Sequence, residues 1–173
     1  PEHILIEDQT NEVVFISLGL ATRIQRKIGI ERRLIFLEAD YDFIAPEQTG
    51  RISADIGYYT DIYALGIAFY WIFTNQLPFG TKEGASKIHA HIALTPKSPD
   101  EVSGLPQILS DLIMKMLEKD VENRYQSTQG VLHDLELISE AIQMGDDVKS
   151  FLLGTFDSSG LLRFSDQLYG RES

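Results

Sequence analysis

Cysteine is missing from this 173-residue sequence, which excludes disulfide staples, Cys-x-x-Cys redox chemistry and thiolate zinc sites. The same lack fits a reducing, cytoplasmic compartment. Basic residues are scarce: 15 Lys and Arg against 26 Asp and Glu leave a net charge of −11. A field of that sign repels polyanions and argues against nucleic-acid binding by the whole surface. No apolar run approaches the ~20 residues a bilayer requires, and the N-terminus lacks the basic and apolar regions of a signal peptide. Repeats and low-complexity segments are absent too. His89 and His91 stand two apart, so on a helix they diverge and read as solvated side chains rather than a metal pair. His133 reads as a lone structural histidine. What is present is ordinary: 43% hydrophobic residues, enough at this length for one domain or part of a larger one. The sequence begins at Pro1 and runs straight into a strand-like stretch, which reads as a fragment.

The organising stretch is residues 60–73, Thr-Asp-Ile-Tyr-Ala-Leu-Gly-Ile-Ala-Phe-Tyr-Trp-Ile-Phe. No charge follows Asp61 until Lys82, and apolar residues fall on every face of the implied helix. Too short for a membrane, such a helix is the buried axis of a globular domain. Thr60 or Asp61 caps its start, and Asn75 and Pro78 close it. Upstream, Ile4-Leu5-Ile6 and Val13-Val14-Phe15-Ile16 predict a hairpin with a polar turn. Residues 19–43 lose periodicity and carry Arg23, Arg26, Lys27, Arg32 and Arg33, a third of the 15 basic residues. That loop reads as solvated, with docking to an acidic neighbouring module as the sharper hypothesis. Downstream, Thr81 is a candidate cap for a helix carrying Ala85, Ile88 and Ile92. Pro96, Pro99, Gly104 and Pro106 punctuate a loop. Leu109, Leu112, Ile113, Met116 and Leu117 follow the spacing of an amphipathic helix, with Pro106 just inside its start. Ser127 caps a last helix with Val131, Leu135, Ile138 and Ile142 on one face. From Gly145 the chain reads as a linker into a following domain.

The order of short motifs resembles the protein kinases. Pro1-Glu2-His3-Ile4-Leu5-Ile6 is similar to the end of the kinase catalytic loop, and Ser17-Leu18-Gly19-Leu20-Ala21 to the Asp-Phe-Gly stretch. Ala45-Pro46-Glu47 is the Ala-Pro-Glu motif itself, and Thr60-Asp61-Ile62-Tyr63-Ala64-Leu65-Gly66 resembles the start of the kinase core helix. Leu77-Pro78-Phe79 and Asp120-Val121-Glu122-Asn123-Arg124-Tyr125 match two later landmarks. The resemblance implies a mainly α, helical C-terminal lobe over residues 1–144 with a short β-hairpin and no N-terminal lobe, of serine/threonine type. Phe151-Leu152-Leu153-Gly154 and Leu168-Tyr169-Gly170-Arg171-Glu172 are similar to the junction between a kinase-like head and an AAA-type ATPase module, with a histidine kinase further on. Residues 145–173 would then be the linker, and other modules of the same protein the partners.

The resemblance also carries the chemistry. Kinases hold two Mg²⁺ ions with the Asp of Asp-Phe-Gly and the Asn of the catalytic loop. Here Ser17 stands at the Asp position and His3 at the Asn position. A hydroxyl replaces a carboxylate poorly, and imidazole suits Zn or Cu better than Mg. No metal site is therefore expected, and ATP and Mg²⁺ would be cofactors only of an active whole domain. The catalytic Asp, the ATP-binding Lys and the glycine-rich loop would all fall before Pro1. The scaffold residues stand in place: the resemblance implies that Glu47 pairs with Arg124 and that Asp61 caps the catalytic-loop backbone from inside the core. Between Gly19 and Glu47 the one Ser or Thr is Thr22, so activation by phosphorylating a threonine near Ala-Pro-Glu has no acceptor. Ser17 also reads simply as a polar residue at a strand end. The expected function is a pseudokinase, a regulatory head in a signalling protein. The alternatives are an active serine/threonine kinase and an interaction scaffold that binds no nucleotide.

Overall fold

The computed structural model describes residues 4–8, 10, 12–15, 41–80, 84–144 and 151–157. The chain divides into two units, Pro1–Leu37 and Glu38–Ser173. In the first, strands β1 (Ile4–Ile6) and β2 (Val13–Phe15) pair antiparallel, Leu5 opposite Val14. The polar turn is closed by the Glu7 amide donating to the Glu12 carbonyl at 2.9 Å and the Thr10 hydroxyl donating to the Glu7 carboxylate at 2.6 Å. This is the hairpin that the two β-rich runs predict.

The second unit is helical. Its axis, α1 (Tyr58–Thr74), is about 25 Å long, and its cap lies three residues before Thr60. Gly57 occupies the cap position, and Thr60 serves from inside the first turn: its hydroxyl accepts from the Gly57 amide at 3.1 Å while its own amide donates to the Gly57 carbonyl at 3.0 Å. Asn75 ends the helix in the left-handed conformation, φ 54°, its amide on the Trp71 carbonyl. Burial is less complete than the all-round apolarity implied. Tyr63, Gly66, Ile67, Tyr70 and Thr74 form a buried stripe at helical spacing, whereas Trp71, Ile72 and Phe73 are 37%, 57% and 40% exposed. Apolarity alone does not bury a helix; a partner must cover each face, and α3 and α4 cover one side of this one.

Among the described residues four helices follow: α2 (Gly84–Ala93), α3 (Pro99–Ser103), α4 (Gln107–Met116) and α5 (Thr128–Met144). The stretch read as a loop thus contains α3. Pro99 fits its first turn because no amide is needed there, and Gly104 leaves it at φ 72°. The Ser110 hydroxyl donates to the Asp100 carboxylate at 2.5 Å and accepts from the Asp100 amide at 3.2 Å, tying α3 to α4. On α4, Leu109, Leu112, Ile113 and Met116 are buried as the spacing predicts, as is Leu117 just beyond it. The α1–α4 crossing is close because Gly66 has no side chain: a Cβ there would lie 2.8 Å from the Met116 Cβ. On α5, Val131 and Ile138 are buried, but Ile142 is half exposed. None of the described helices is long and apolar enough to cross a membrane.

Candidate functional site

The Ala-Pro-Glu stretch forms a 3₁₀ turn, Pro46–Thr49, and its own residues shape it. The Gln48 side chain accepts from the Ala45 amide at 2.9 Å, and the Thr49 hydroxyl donates to the Pro46 carbonyl at 2.6 Å. Gly50 then turns the chain at φ 67°. With the turn closed on itself, Ala45, Pro46 and Glu47 all point inward and are buried.

Glu47 meets Arg124 across 77 residues of chain. Arg124 Nη1 donates to Glu47 Oε1 at 2.8 Å and Nη2 to Oε2 at 3.2 Å, a two-pronged pair in which both side chains are fully excluded from solvent. The remaining valences are used as burial demands. Glu47 Oε1 also accepts from the Thr60 hydroxyl at 2.8 Å; Arg124 Nη1 donates to the Tyr59 carbonyl at 2.9 Å and Nε to the Glu118 carbonyl at 3.0 Å. The guanidinium plane lies 4.8 Å from the Tyr63 ring centre. A single arginine thereby ties together the turn, the start of α1 and the loop after α4.

A second polar cluster gathers at the Tyr63 hydroxyl. Lys119 Nζ donates to the Tyr63 hydroxyl at 3.1 Å and sits 4.4 Å from the Phe79 ring centre. The same hydroxyl is 3.0 Å from His91 Nδ1. A lysine ammonium cannot accept, so Tyr63 accepts from Lys119, and the direction of its bond with His91 follows the imidazole tautomer. His91 is neutral in the fold. Burial first, then the charges of Lys119 and Lys87, push its pKa down to about 4. Burial, with Arg124 next in weight, likewise lowers Lys119 to about 8. Burial raises the Tyr63 phenol well above its ordinary value, which keeps it protonated. Lys87 pairs with Asp42 at 2.6 Å, joining α2 to the segment just before the turn.

The residues expected to matter fall into three groups. Ala45, Pro46, Glu47 and Arg124 come together in the anchor just described. Asp61 stands exposed on the first turn of α1, its carboxyl raised by partial burial and without a hydrogen-bond partner among the described residues. His3, Ser17, Gly19 and the basic cluster Arg23 to Arg33 lie outside the described residues. Expecting His91 to be solvated was wrong: it is 1% exposed, while His89 is exposed. The signal was available, since His91 completes the spacing of Ile88 and Ile92 on the inner face of α2. No grouping of His, Asp and Glu suited to a metal ion occurs among the described residues. The arrangement is a positioning device that fixes a turn.

Residues 1–135 match the family described as protein kinase domain. The chain is 28% identical over 158 residues to the hybrid signal transduction histidine kinase G of Dictyostelium discoideum, covering 79% of this chain and 5% of that protein. It is 35% identical over 133 residues to the peroxide stress-activated histidine kinase mak3 of Schizosaccharomyces pombe, covering 75% and 6%. It is 32% identical over 143 residues to the probable serine/threonine-protein kinase CPE1738 of Clostridium perfringens, covering 81% and 20%. The chain therefore spans a small part of these three relatives, from 5% to 20% of their length.

Proposed function

This chain belongs to the protein kinase domain family, and we propose that it is the helical lobe of a kinase-like regulatory head that does not carry out magnesium-dependent phosphoryl transfer. In this reading it serves within a multidomain cytoplasmic signalling protein. The observation that carries the reading is a contrast between two sets of residues. The scaffold pair Glu47–Arg124 is intact, buried and joined by two hydrogen bonds. The positions where the family holds Mg²⁺ carry Ser17 and His3 instead. Removing a carboxylate ligand loosens the hold on the cation that offsets charge on the triphosphate, and phosphoryl transfer depends on that cation. A lobe that keeps its scaffold pair and not its metal ligands is suited to binding and relaying rather than to transfer. Relatives named as hybrid and stress-activated histidine kinases support placement beside such modules.

The relatives named serine/threonine-protein kinases favour the active alternative. Incubating the protein, as made in the cell, with γ-labelled ATP, Mg²⁺ and a general acceptor protein separates the two. The proposal expects no label in the chain or the acceptor above that seen without protein. Magnesium-dependent labelling that disappears with EDTA would establish the alternative.

A further inference from the structure

Beyond α5, residues 151–157 return to the helical unit and fill a site built for them. The Asp157 carboxylate accepts from the amides of Gln126 and Ser127 at 2.6 and 2.9 Å and from the Ser127 hydroxyl at 2.7 Å. It thus sits at the start of the 17-residue α5, where unpaired amides and the helix dipole favour an anion. Ser127 is itself held there, its hydroxyl accepting from the Gly130 amide at 3.1 Å. Gly130 leaves the space: a Cβ on it would come within 2.5 Å of the Asp157 carboxylate.

A second, independent contact lies one turn along. Asp134 is completely buried on the inner face of α5. Its Oδ2 accepts from the Tyr125 hydroxyl in a short hydrogen bond and from the Gly154 amide at 2.7 Å. Gly154 takes φ 78°, and a Cβ there would lie 2.8 Å from the Lys115 side chain. Phe151 and Leu153, both partly buried, pack against the core. Asp134 Oδ1 is the one buried side-chain oxygen without a hydrogen-bond partner among the described residues. A buried carboxylate with half its capacity unused depends heavily on the partners it does have.

We propose that the start of α5, with Asp134 and Tyr125, is a binding site for an apolar segment carrying a glycine and an acid, occupied here by residues 151–157. We further propose that its occupancy sets the order of the loop bearing Arg124 and, through Arg124, of the Glu47 turn. The links are direct. Asp157 holds the backbone of Gln126, whose side chain donates to the carbonyls of Val121 and Arg124 at 2.5 and 2.9 Å. Arg124 in turn holds Glu47. Whatever polypeptide pulls on residues 151–157 thereby acts on the turn, whether or not the domain transfers phosphate.

Hydrogen exchange on the whole chain tests this with a substitution from each side of the site. Asp157→Asn removes the anion at constant size. Gly130→Ala adds a Cβ that opposes docking, although alanine alone favours helix. Both variants are expected to speed exchange roughly tenfold or more in residues 118–127 and 45–49, as loss of a charge-assisted hydrogen bond raises local opening. Acceleration confined to 151–157 in both variants would overturn the coupling. Should Asp157→Asn fail to fold, Gly130→Ala decides: protection in 118–127 equal to the parent's would overturn it. A greater stability of Gly130→Ala than of the parent would show that the site is not occupied in solution.

Discussion

Arg124→Ala is expected to lower the unfolding free energy of the helical unit by about 3–5 kcal/mol, the usual cost of removing one partner of a buried ion pair. Arg124 is 1% exposed and its fork serves Glu47, the Tyr59 carbonyl and the Glu118 carbonyl together. Its removal strands a fully buried carboxylate whose one remaining donor among the described residues is the Thr60 hydroxyl. For a chain of this size the loss corresponds to a fall in Tm of roughly 10 °C. Arg124→Lys is expected to lose most of the same stability, because one ammonium cannot span three acceptors set for a planar guanidinium. Replacing both partners, Glu47→Gln with Arg124→Met, should cost less than Arg124→Ala, since no charge is left buried. Chemical denaturation measures the free energies. Limited proteolysis around Pro46 reports whether the turn loosens first. Melting of Arg124→Ala within a degree of the parent would refute the anchor.

The second large effect is on pH. His91 is neutral in the fold and its pKa is depressed to about 4 from an ordinary 6.5. Above pH 6.5 both folded and unfolded states leave it unprotonated, so its contribution is fully present. As pH falls from 6.5 toward 4 the unfolded chain takes up a proton that the fold refuses, and stability declines. The contribution is lost by the time pH has passed through 4, a total of about 3 kcal/mol at ~1.4 kcal/mol per pKa unit. His91→Asn, which keeps an acceptor near the Tyr63 hydroxyl but cannot titrate, is expected to flatten this part of the curve. Unfolding free energies at half-unit steps from pH 7 to 4 give the comparison. Equal slopes for parent and variant would remove His91 as the cause.

Much of this unit is legible in the sequence, where side-chain spacing alone decides. The α4 stripe of Leu109, Leu112, Ile113 and Met116 is buried as its period requires. Asn75 closes α1 and Ser127 caps α5 because both act on backbone within a few residues. The short α3 is harder to see, since Pro99 and Gly104 punctuate loops and short helices alike. Burial on α1 depends on which neighbours cover which face, and the apolar run from Ile62 to Phe73 contains no such information. Polar burial is the least visible. Asp134 shares the inner face of α5 with Val131 and Ile138, and His91 that of α2 with Ile88 and Ile92, yet their types suggest exposure. Lys119 carries no local sign at all: the rings of Tyr63 and Phe79 that flank it come from other parts of the chain. Glu47 and Arg124 were matched through family resemblance, because a pair 77 residues apart has no signature in spacing.

The same limit applies to function. What holds the turn can be followed atom by atom, and it is structural chemistry: a closed 3₁₀ turn, a buried ion pair and an aromatic ring beneath it. What the domain does with nucleotide turns, in the proposed reading, on Ser17 and His3, where a neutral hydroxyl would stand for a carboxylate and an imidazole for an amide oxygen. The most direct measurement is the affinity of the whole protein for ATP by calorimetry, in Mg²⁺ and again in EDTA, with Ser17→Asp measured alongside. A parent whose ATP affinity is the same in both buffers, and a Ser17→Asp variant that binds more tightly in Mg²⁺, is the predicted result. A parent that already binds ATP more tightly in Mg²⁺ than in EDTA would contradict the claim that its metal site is lost.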